Sequence, residues 1–363
     1  MSQHPSPRRV ITRFLSVEQV GRIVRERGLA ECIAGVAASI GQDFLRWGEF
    51  DKCARVASHS RDGVIELMPI ADDKTYSFKY VNGHPRNFRF ELPTVMAFGV
   101  IADVATGVPE LVCELTLTTA IRTAAMSAVA ARALARDDCH TMAIIGNGAQ
   151  SEFQAVAFHY LLGVDTFHLF DLDPRATDKL TANLDRLGLT WRRFNSAVDA
   201  VRGCDIVTTV TADKTNATIL TPDMIARGMH INAVGGDCPG KTELAAEVLR
   251  MGPVFVEFEP QSRIEGDVQQ MPEDFPVTEL WEVLAARKPG RRSRDEITVF
   301  DSVGFALEDF SALRYMRDAA EALGLGETIS LIPTLADPRD LFGIIPDEAS
   351  GAHPRAGAAI ALG

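Results

Sequence analysis

The run TMAIIGNGAQS, residues 141–151, constrains this chain more than any other stretch. A short apolar strand-like segment ends in glycine, and a helical segment begins at once. Gly146 and Gly148 permit a tight turn and close approach of backbone to a pyrophosphate, while the start of the helix presents free N–H groups to the anion. The third small position of such a turn holds Ser151 rather than glycine. Alone the pattern is weak, and its context carries it. The next strand-like run ends at Asp171, 171 − 146 = 25 residues beyond the first glycine. A carboxylate there accepts hydrogen bonds from ribose hydroxyls and repels a 2′-phosphate, which favours NAD over NADP. Asp173 is the rival acid, and a plain glycine turn beside a surface acid is the competing reading.

The surrounding pattern predicts an α/β fold. From residue 141 onward, strand-like runs (166–171, 191–194, 205–212, 229–236, 254–259, 297–303) alternate with helical ones (150–162, 174–187, a stretch to Gly203, 242–251). That alternation predicts a Rossmann-type, doubly wound, mostly parallel sheet. The preceding part reads differently. Helices are expected over 16–27 and 29–46, and residues 54–116 hold short β-branched and aromatic runs separated by turns such as Arg61-Asp62-Gly63 and Val81-Asn82-Gly83. These predict an antiparallel sheet, so the first domain is α+β. An Ala-rich helix is expected over 118–136, and another over 305–323 that could return to the first domain.

Composition excludes several functions. Lys plus Arg is 37 and Asp plus Glu is 49, a formal charge of −12 over 363 residues, with no basic patch for a phosphate backbone. The run Arg287-Lys288-Pro289-Gly290-Arg291-Arg292 reads as a solvated loop. The six cysteines are scattered, without metal-ligand spacing, so neither a disulfide framework nor a metal site is expected and a reducing cytoplasm fits. No apolar signal-peptide core opens the chain, and no uncharged apolar stretch reaches the roughly 18 residues of a membrane span. The tail 350–363 is expected to fray.

Further residues carry chemistry. Gly235 to Thr242 satisfies the P-loop pattern, which would make the chain an NTPase. Against this, Asp237 would repel phosphates and Pro239 lacks an N–H donor. An acid in a glycine loop at the carboxyl end of a strand is instead a candidate proton carrier near the cofactor. Arg122 lies in an otherwise apolar helix and needs an anion. With Arg55 and Lys79 it would suit a substrate carboxylate, although ordinary salt bridges suit the spacing equally. Glu66 is the candidate for an ammonium group, and His84 is a turn residue or a weaker catalytic candidate.

Four motifs, KYVNGHP (79–85), IGNGAQSEFQ (145–154), NAVGGDCPGK (232–241) and DSVGFA (301–306), are similar to those of the ornithine cyclodeaminase/mu-crystallin family. The likeness runs from about residue 15 to about 345, and NAVGGDCPGKTEL resembles the cyclodeaminase branch more than the mu-crystallin or alanine dehydrogenase branches. The resemblance implies a homodimer joined through the β-rich domains, each subunit holding a recycled NAD. It implies a substrate-binding and dimerisation domain over 1–136 with 305–349, and an NAD-binding domain over 137–304. It implies conversion of L-ornithine to L-proline and ammonia. Lysine cyclodeaminase, an imine reductase or amino-acid dehydrogenase, and a mu-crystallin-like binder remain the alternatives.

By resemblance the carboxylate-binding cations fall on Arg55, Lys79 and Arg122, the catalytic acid on Asp237 with Glu66 beside it, and a substrate contact on Val303. NAD contacts fall on Thr94, Arg122, Gly146, Gly148, Ala149, Gln150, Asp171, Thr211, Val234, Gly235, Gly236, Asp237 and Lys241. One stretch departs: Phe88-Arg89-Phe90-Glu91-Leu92-Pro93 stands where a smaller, Gly-containing link is expected, and it bears on substrate size.

Overall fold

In the computed structural model, residues 10–212 and 217–345 are described. The tail expected to fray lies outside them. After β1 (Thr12–Leu15), Ser16 caps α1 (Val17–Arg27). The Ser16 hydroxyl accepts the Gln19 N–H while the Gln19 side chain accepts the Ser16 N–H, a reciprocal cap. α2 (Leu29–Leu45) follows directly and buries Ile33, Val36, Ile40 and Phe44 at three- and four-residue spacing.

The chain then lays down β2 (Asp51–Lys52), β3 (Val56–His59), β4 (Val64–Ala71), β5 (Thr75–Gly83), β6 (Val95–Asp103) and β7 (Pro109–Glu114). Neighbours among these pair antiparallel, and β1 joins β7 in parallel. Burial alternates along β4, with Val64, Glu66, Met68 and Ile70 inward and Ile65 and Leu67 outward. Period-two alternation puts Glu66 and Lys79 on the inner face, where polar groups need partners.

α3 (Thr116–Leu134) buries residues on every side and packs against α2. Its alanines have little volume, so helices approach it closely. The second sheet begins at β8 (Thr141–Ile145), which leads through α4 (Ser151–Leu162), β9 (Thr166–Phe170), α5 (Pro174–Leu187), β10 (Thr190–Arg193), α6 (Ala197–Val201) and β11 (Ile206–Thr209). It continues with β12 (His230–Ala233), α7 (Ala246–Leu249), β13 (Val254–Val256), α8 (Glu259–Glu265), β14 (Thr278–Glu279), α9 (Leu280–Leu284) and β15 (Thr298–Asp301). Its order is β10-β9-β8-β11-β12-β15-β13-β14, all parallel. The chain runs outward from β8 and then crosses back to β11. That switch point opens the ligand crevice of a doubly wound sheet. α10 (Ala306–Ala322) returns to pack on α2, α3, β4, β5 and β6, and β16 (Glu327–Ile329) closes the first sheet antiparallel to β1.

Two expectations need correction. The helix expected over 242–251 is only the single turn α7. Residues 243–245 are extended instead, because Ile219 and Leu220 donate to the Glu243 carbonyl and Ala245 donates to Leu220. The basic run 287–292 is not wholly solvated. Arg291 is partly buried, and its Nε donates to the Leu134 carbonyl at the end of α3 at 2.8 Å. It acts there as a cation on the last carbonyls of a helix.

The close packing around α3 gives a direct test. Ala125 is fully buried, so Ala125→Leu should overpack the helix interface and cost about 1–3 kcal/mol in urea unfolding. Wild-type stability in that variant would mean that α3 is loosely packed.

Candidate active site

The glycine turn sits at the carboxyl end of β8. Gly146 has φ +99°, and a Cβ there would meet the Val210 carbonyl oxygen at 2.6 Å, so both conformation and space demand glycine. Gly148 and Ala149 are exposed on the crevice side of the turn. No side chain caps the start of α4, so its first N–H groups remain to hold an anion. Asp171 stands beside the turn. Its Oδ2 accepts the Asn147 N–H at 2.6 Å and its Oδ1 the Asp173 N–H at 2.8 Å, which fixes the carboxylate and leaves lone pairs for ribose hydroxyls. The rival Asp173 is the N-cap of α5, accepting the Arg175 N–H at 3.0 Å. Gln150 donates to the Ala120 carbonyl at 3.0 Å and so ties the turn to α3. This donor set fits a dinucleotide.

The three cations are buried and paired with carboxylates. Lys79 Nζ lies 2.8 Å from Asp309 Oδ2. Arg122 reaches Glu308 at 2.6 Å and Asp309 at 3.0 Å. Asp309 therefore bridges β5 and α3 from α10. Arg55 Nη1 donates to Glu66 at 3.0 Å, and its Nη2 donates to the carbonyls of Val303 at 2.6 Å and Gly304 at 2.8 Å. Its Nε lies 3.0 Å from Glu265. Burial, reinforced by Arg122 nearby, pulls the Lys79 ammonium below its ordinary range, although Asp309 opposes the shift.

The loop after β12 carries Val234 to Lys241. Asp237 is half exposed, 3.4 Å from the buried ammonium of Lys241, and its charge is felt at Arg55 and Glu265. Lys241 donates to the Thr211 carbonyl at 2.7 Å. Thr211 in turn donates its N–H to Glu243 at 3.1 Å and its hydroxyl to the same oxygen. A wall of buried carboxylates stands behind this loop. Burial raises Glu265 to about 7 and also raises Glu243, Asp267, Asp301, Glu257 and Glu308.

Among the residues singled out from sequence, Arg55, Glu66 and Val303 meet directly, Lys79 and Arg122 meet through Asp309, and Thr211, Asp237 and Lys241 meet in the second loop. Glu66 pairs with Arg55 at 3.0 Å. Thr94 lies in the turn entering β6, its carbonyl accepting the His84 N–H at 2.9 Å, and none of these contacts reaches it. His84 itself pairs with Asn82 at 2.9 Å. The unusual stretch forms a short 3-10 turn, with Phe90 and Leu92 exposed and Glu91 at φ +58°. No helix begins at Thr242, so the P-loop reading fails, since that motif needs a helix N-terminus under the phosphates. Sequence reasoning missed the partner acids Glu257, Glu265, Asp267, Asp301, Glu308 and Asp309.

Comparison with known proteins agrees with this geometry. A model of the ornithine cyclodeaminase/mu-crystallin family matches residues 16–324. The chain is 56% identical over 335 residues to an ornithine cyclodeaminase of Brucella suis biovar 1 (strain 1330), covering 92% of this chain and 94% of the relative. It superposes with a TM-score of 0.85 and 30% identity on a lysine cyclodeaminase solved to explain recognition of L-lysine, L-ornithine and L-2,4-diamino butyric acid, covering 91% of this chain and 99% of that one. An archaeal alanine dehydrogenase dimer with bound NAD matches with a TM-score of 0.80 and 29% identity, covering 89% and 100%.

The buried acids predict a pH dependence. A group raised in the folded state gives stability that is fully present below its unfolded value and is lost as pH rises through its folded value. Glu265, at about 7, acts in this sense, with Asp267 and Glu308 beside it. His230, held down to about 3 by burial, acts in the opposite sense, but only below its unfolded value of about 6.5. The ligand-free protein should therefore melt at lower temperature at pH 7.5 than at pH 6.5, and Asp267→Asn should flatten that slope. A melting temperature that rises over the interval would contradict the assignment.

Proposed function

The chain belongs to the ornithine cyclodeaminase/mu-crystallin family, and we infer from that membership that it is an ornithine cyclodeaminase. It converts L-ornithine to L-proline and ammonia with internally recycled NAD. The observation that carries this reading is the convergence of Arg55, Lys79 and Arg122 in one buried cluster at the carboxyl ends of the parallel strands, on a chain so like the Brucella enzyme.

Gly146, Gly148, Ala149 and Gln150 would hold the pyrophosphate of NAD, and Asp171 its ribose. Thr94, Arg122, Thr211, the loop Val234 to Asp237 and Lys241 complete the proposed cofactor contacts. When bound, NAD supplies a reversible two-electron acceptor at the substrate Cα. The chain's own residues bind, orient and move protons. Arg55, Lys79 and Arg122 hold the substrate carboxylate through charge-assisted hydrogen bonds, which fixes Cα. Asp237 takes a proton from the side-chain ammonium, leaving a neutral amine as nucleophile. Ring closure is favoured because nucleophile and electrophile belong to one molecule held in register. Glu66 holds that amine or a water molecule, and Val303 acts through its carbonyl, which already fixes Arg55.

Purified protein given L-ornithine should release ammonia and form proline with no net change in NADH absorbance. Lysine turned over more efficiently would make it a lysine cyclodeaminase, and stoichiometric change in NADH would make it a reductase or dehydrogenase. One methylene is worth only about 1–3 kcal/mol of discrimination, so both diamino acids belong in the assay. Asp237→Asn should still bind NAD and lose about 100-fold or more in kcat. Near-wild-type turnover would remove Asp237 from the mechanism.

The outer face of the antiparallel sheet supports a homodimer. Ile65, Leu67, Tyr76 and Phe98 are exposed there, and Phe98 stacks on Tyr80 at 5.1 Å. Monomers rarely expose a continuous apolar patch of this kind, and a matching face on a second copy would cover it. Sedimentation should give twice the chain mass, and Leu67→Asp should shift the population toward monomer. A wild-type monomer would refute this arrangement. Among the described residues no helix is long and apolar enough to cross a membrane, and all six cysteines are free. A reducing cytoplasm suits free thiols, and there the enzyme would join ornithine catabolism to proline biosynthesis.

A further inference from the structure

Arg55 is held from two sides. Glu66 on β4 contacts it from the antiparallel sheet. From the side of the parallel sheet come the Val303 and Gly304 carbonyls, Gln261, which accepts the Arg55 N–H at 3.2 Å, and Glu265 at the end of α8. The Glu265 contact differs from the rest. Its oxygen lies 3.0 Å from Arg55 Nε, yet neither atom has an aligned hydrogen-bond partner, although both are buried. A guanidinium has five N–H donors in a rigid fork. Nη2 is used on two carbonyls and Nη1 on Glu66, so Nε, whose edge is shared with the occupied Nη2, faces Glu265, and the second hydrogen of Nη1 is left for a ligand. Glu265 stands on the Nε side of the guanidinium.

We propose that Glu265 is a positioning residue that sets the rotation of the Arg55 guanidinium and so ties the grip on the substrate carboxylate to the cofactor side of the crevice. The proposal rests on the reading above, in which Arg55 binds that carboxylate. Glu66 alone could not do this, because it belongs to the other sheet and fixes only Nη1. Glu265 borders the same loops as Asp237, and the charged groups that face it are Arg55, Glu66 and Asp237. Burial leaves its carboxyl ionising near neutrality, so the constraint on Arg55 strengthens as pH rises from 6 to 8.

The test compares Glu265→Gln, Glu265→Asp and Arg55→Lys in steady-state assays with ornithine from pH 6 to 8, with NAD affinity measured separately. Glu265→Gln should raise the KM for ornithine about tenfold at pH 8, with kcat within about threefold and NAD affinity unchanged. In wild type KM should fall from pH 6 to 8, and that fall should vanish in this variant. Glu265→Asp, which keeps the charge, should retain part of that pH dependence. An unchanged KM and pH profile in Glu265→Gln overturns the proposal, and so does loss of NAD binding in both Glu265 variants, which would mark a general structural role. If Arg55→Lys leaves KM unchanged, the underlying reading of the substrate clamp fails instead.

Discussion

Buried carboxylates that accept backbone N–H groups hold this site together. Asp267 accepts the N–H groups of Glu243 and Leu244, both at 2.8 Å. Asp301 accepts those of Asp267 and Val268, both at 2.9 Å. Glu257 accepts the Ser302 hydroxyl and the N–H groups of Val303 and Gly304. Each acid sits on one loop at the carboxyl edge of the parallel sheet and fastens the next. A buried anion is costly unless it is hydrogen-bonded or paired, and removing a partner costs more than the pair itself contributes. The loops are therefore fixed as a set.

The same logic joins the two sheets. Asp309 accepts from Lys79 on β5 and Arg122 on α3, while Glu308 caps the start of its own helix at the Phe305 N–H and pairs with Arg122. α10 thus carries two acids into a crowd of three cations. An aromatic cluster of Trp47, Phe258, Trp281 and Phe305 seals one side, with Trp47 stacked on Trp281 at 6.0 Å. Low dielectric around paired charges makes their geometry strict, which suits a site that must orient one small zwitterion.

Local signals made much of this legible. Gly146 to Ser151, with Asp171 just after the following strand, pointed to the strand–turn–helix unit that the structure has at the end of β8, because that signal is confined to one local unit. The antiparallel sheet was legible from alternation, and so was the parallel one from its strand–helix rhythm. The acids behind the loops were not, since Asp301 and Asp267 lie 34 residues apart and no local spacing marks their contact. One pair did leave a trace. Glu308 and Asp309 interrupt the apolar helix FALEDFSALRYM just as Arg122 interrupts its own, and two buried helices with opposite charges invite pairing. The helix expected over 242–251 failed because its amphipathic pattern carries no record of the Leu220–Leu244 bridge.

The match to the P-loop pattern has a physical explanation of its own. Gly235 and its neighbour Gly236 are needed, but for acids rather than phosphates, while Gly240 is needed for its φ of +81°. A Cβ on Gly236 would meet Asp267 Oδ2 at 2.8 Å, and one on Gly235 would run into the Glu243 carboxylate. The lysine of the pattern, Lys241, is buried and donates to the Thr211 carbonyl beside Glu243, so its charge offsets theirs. Glycines, an acid and a lysine at this spacing therefore describe a loop pressed onto buried carboxylates by its own backbone. Asp237, in the middle of that loop, is the acid of the group that remains half exposed, 3.4 Å from the Lys241 ammonium that the buried acids hold in place.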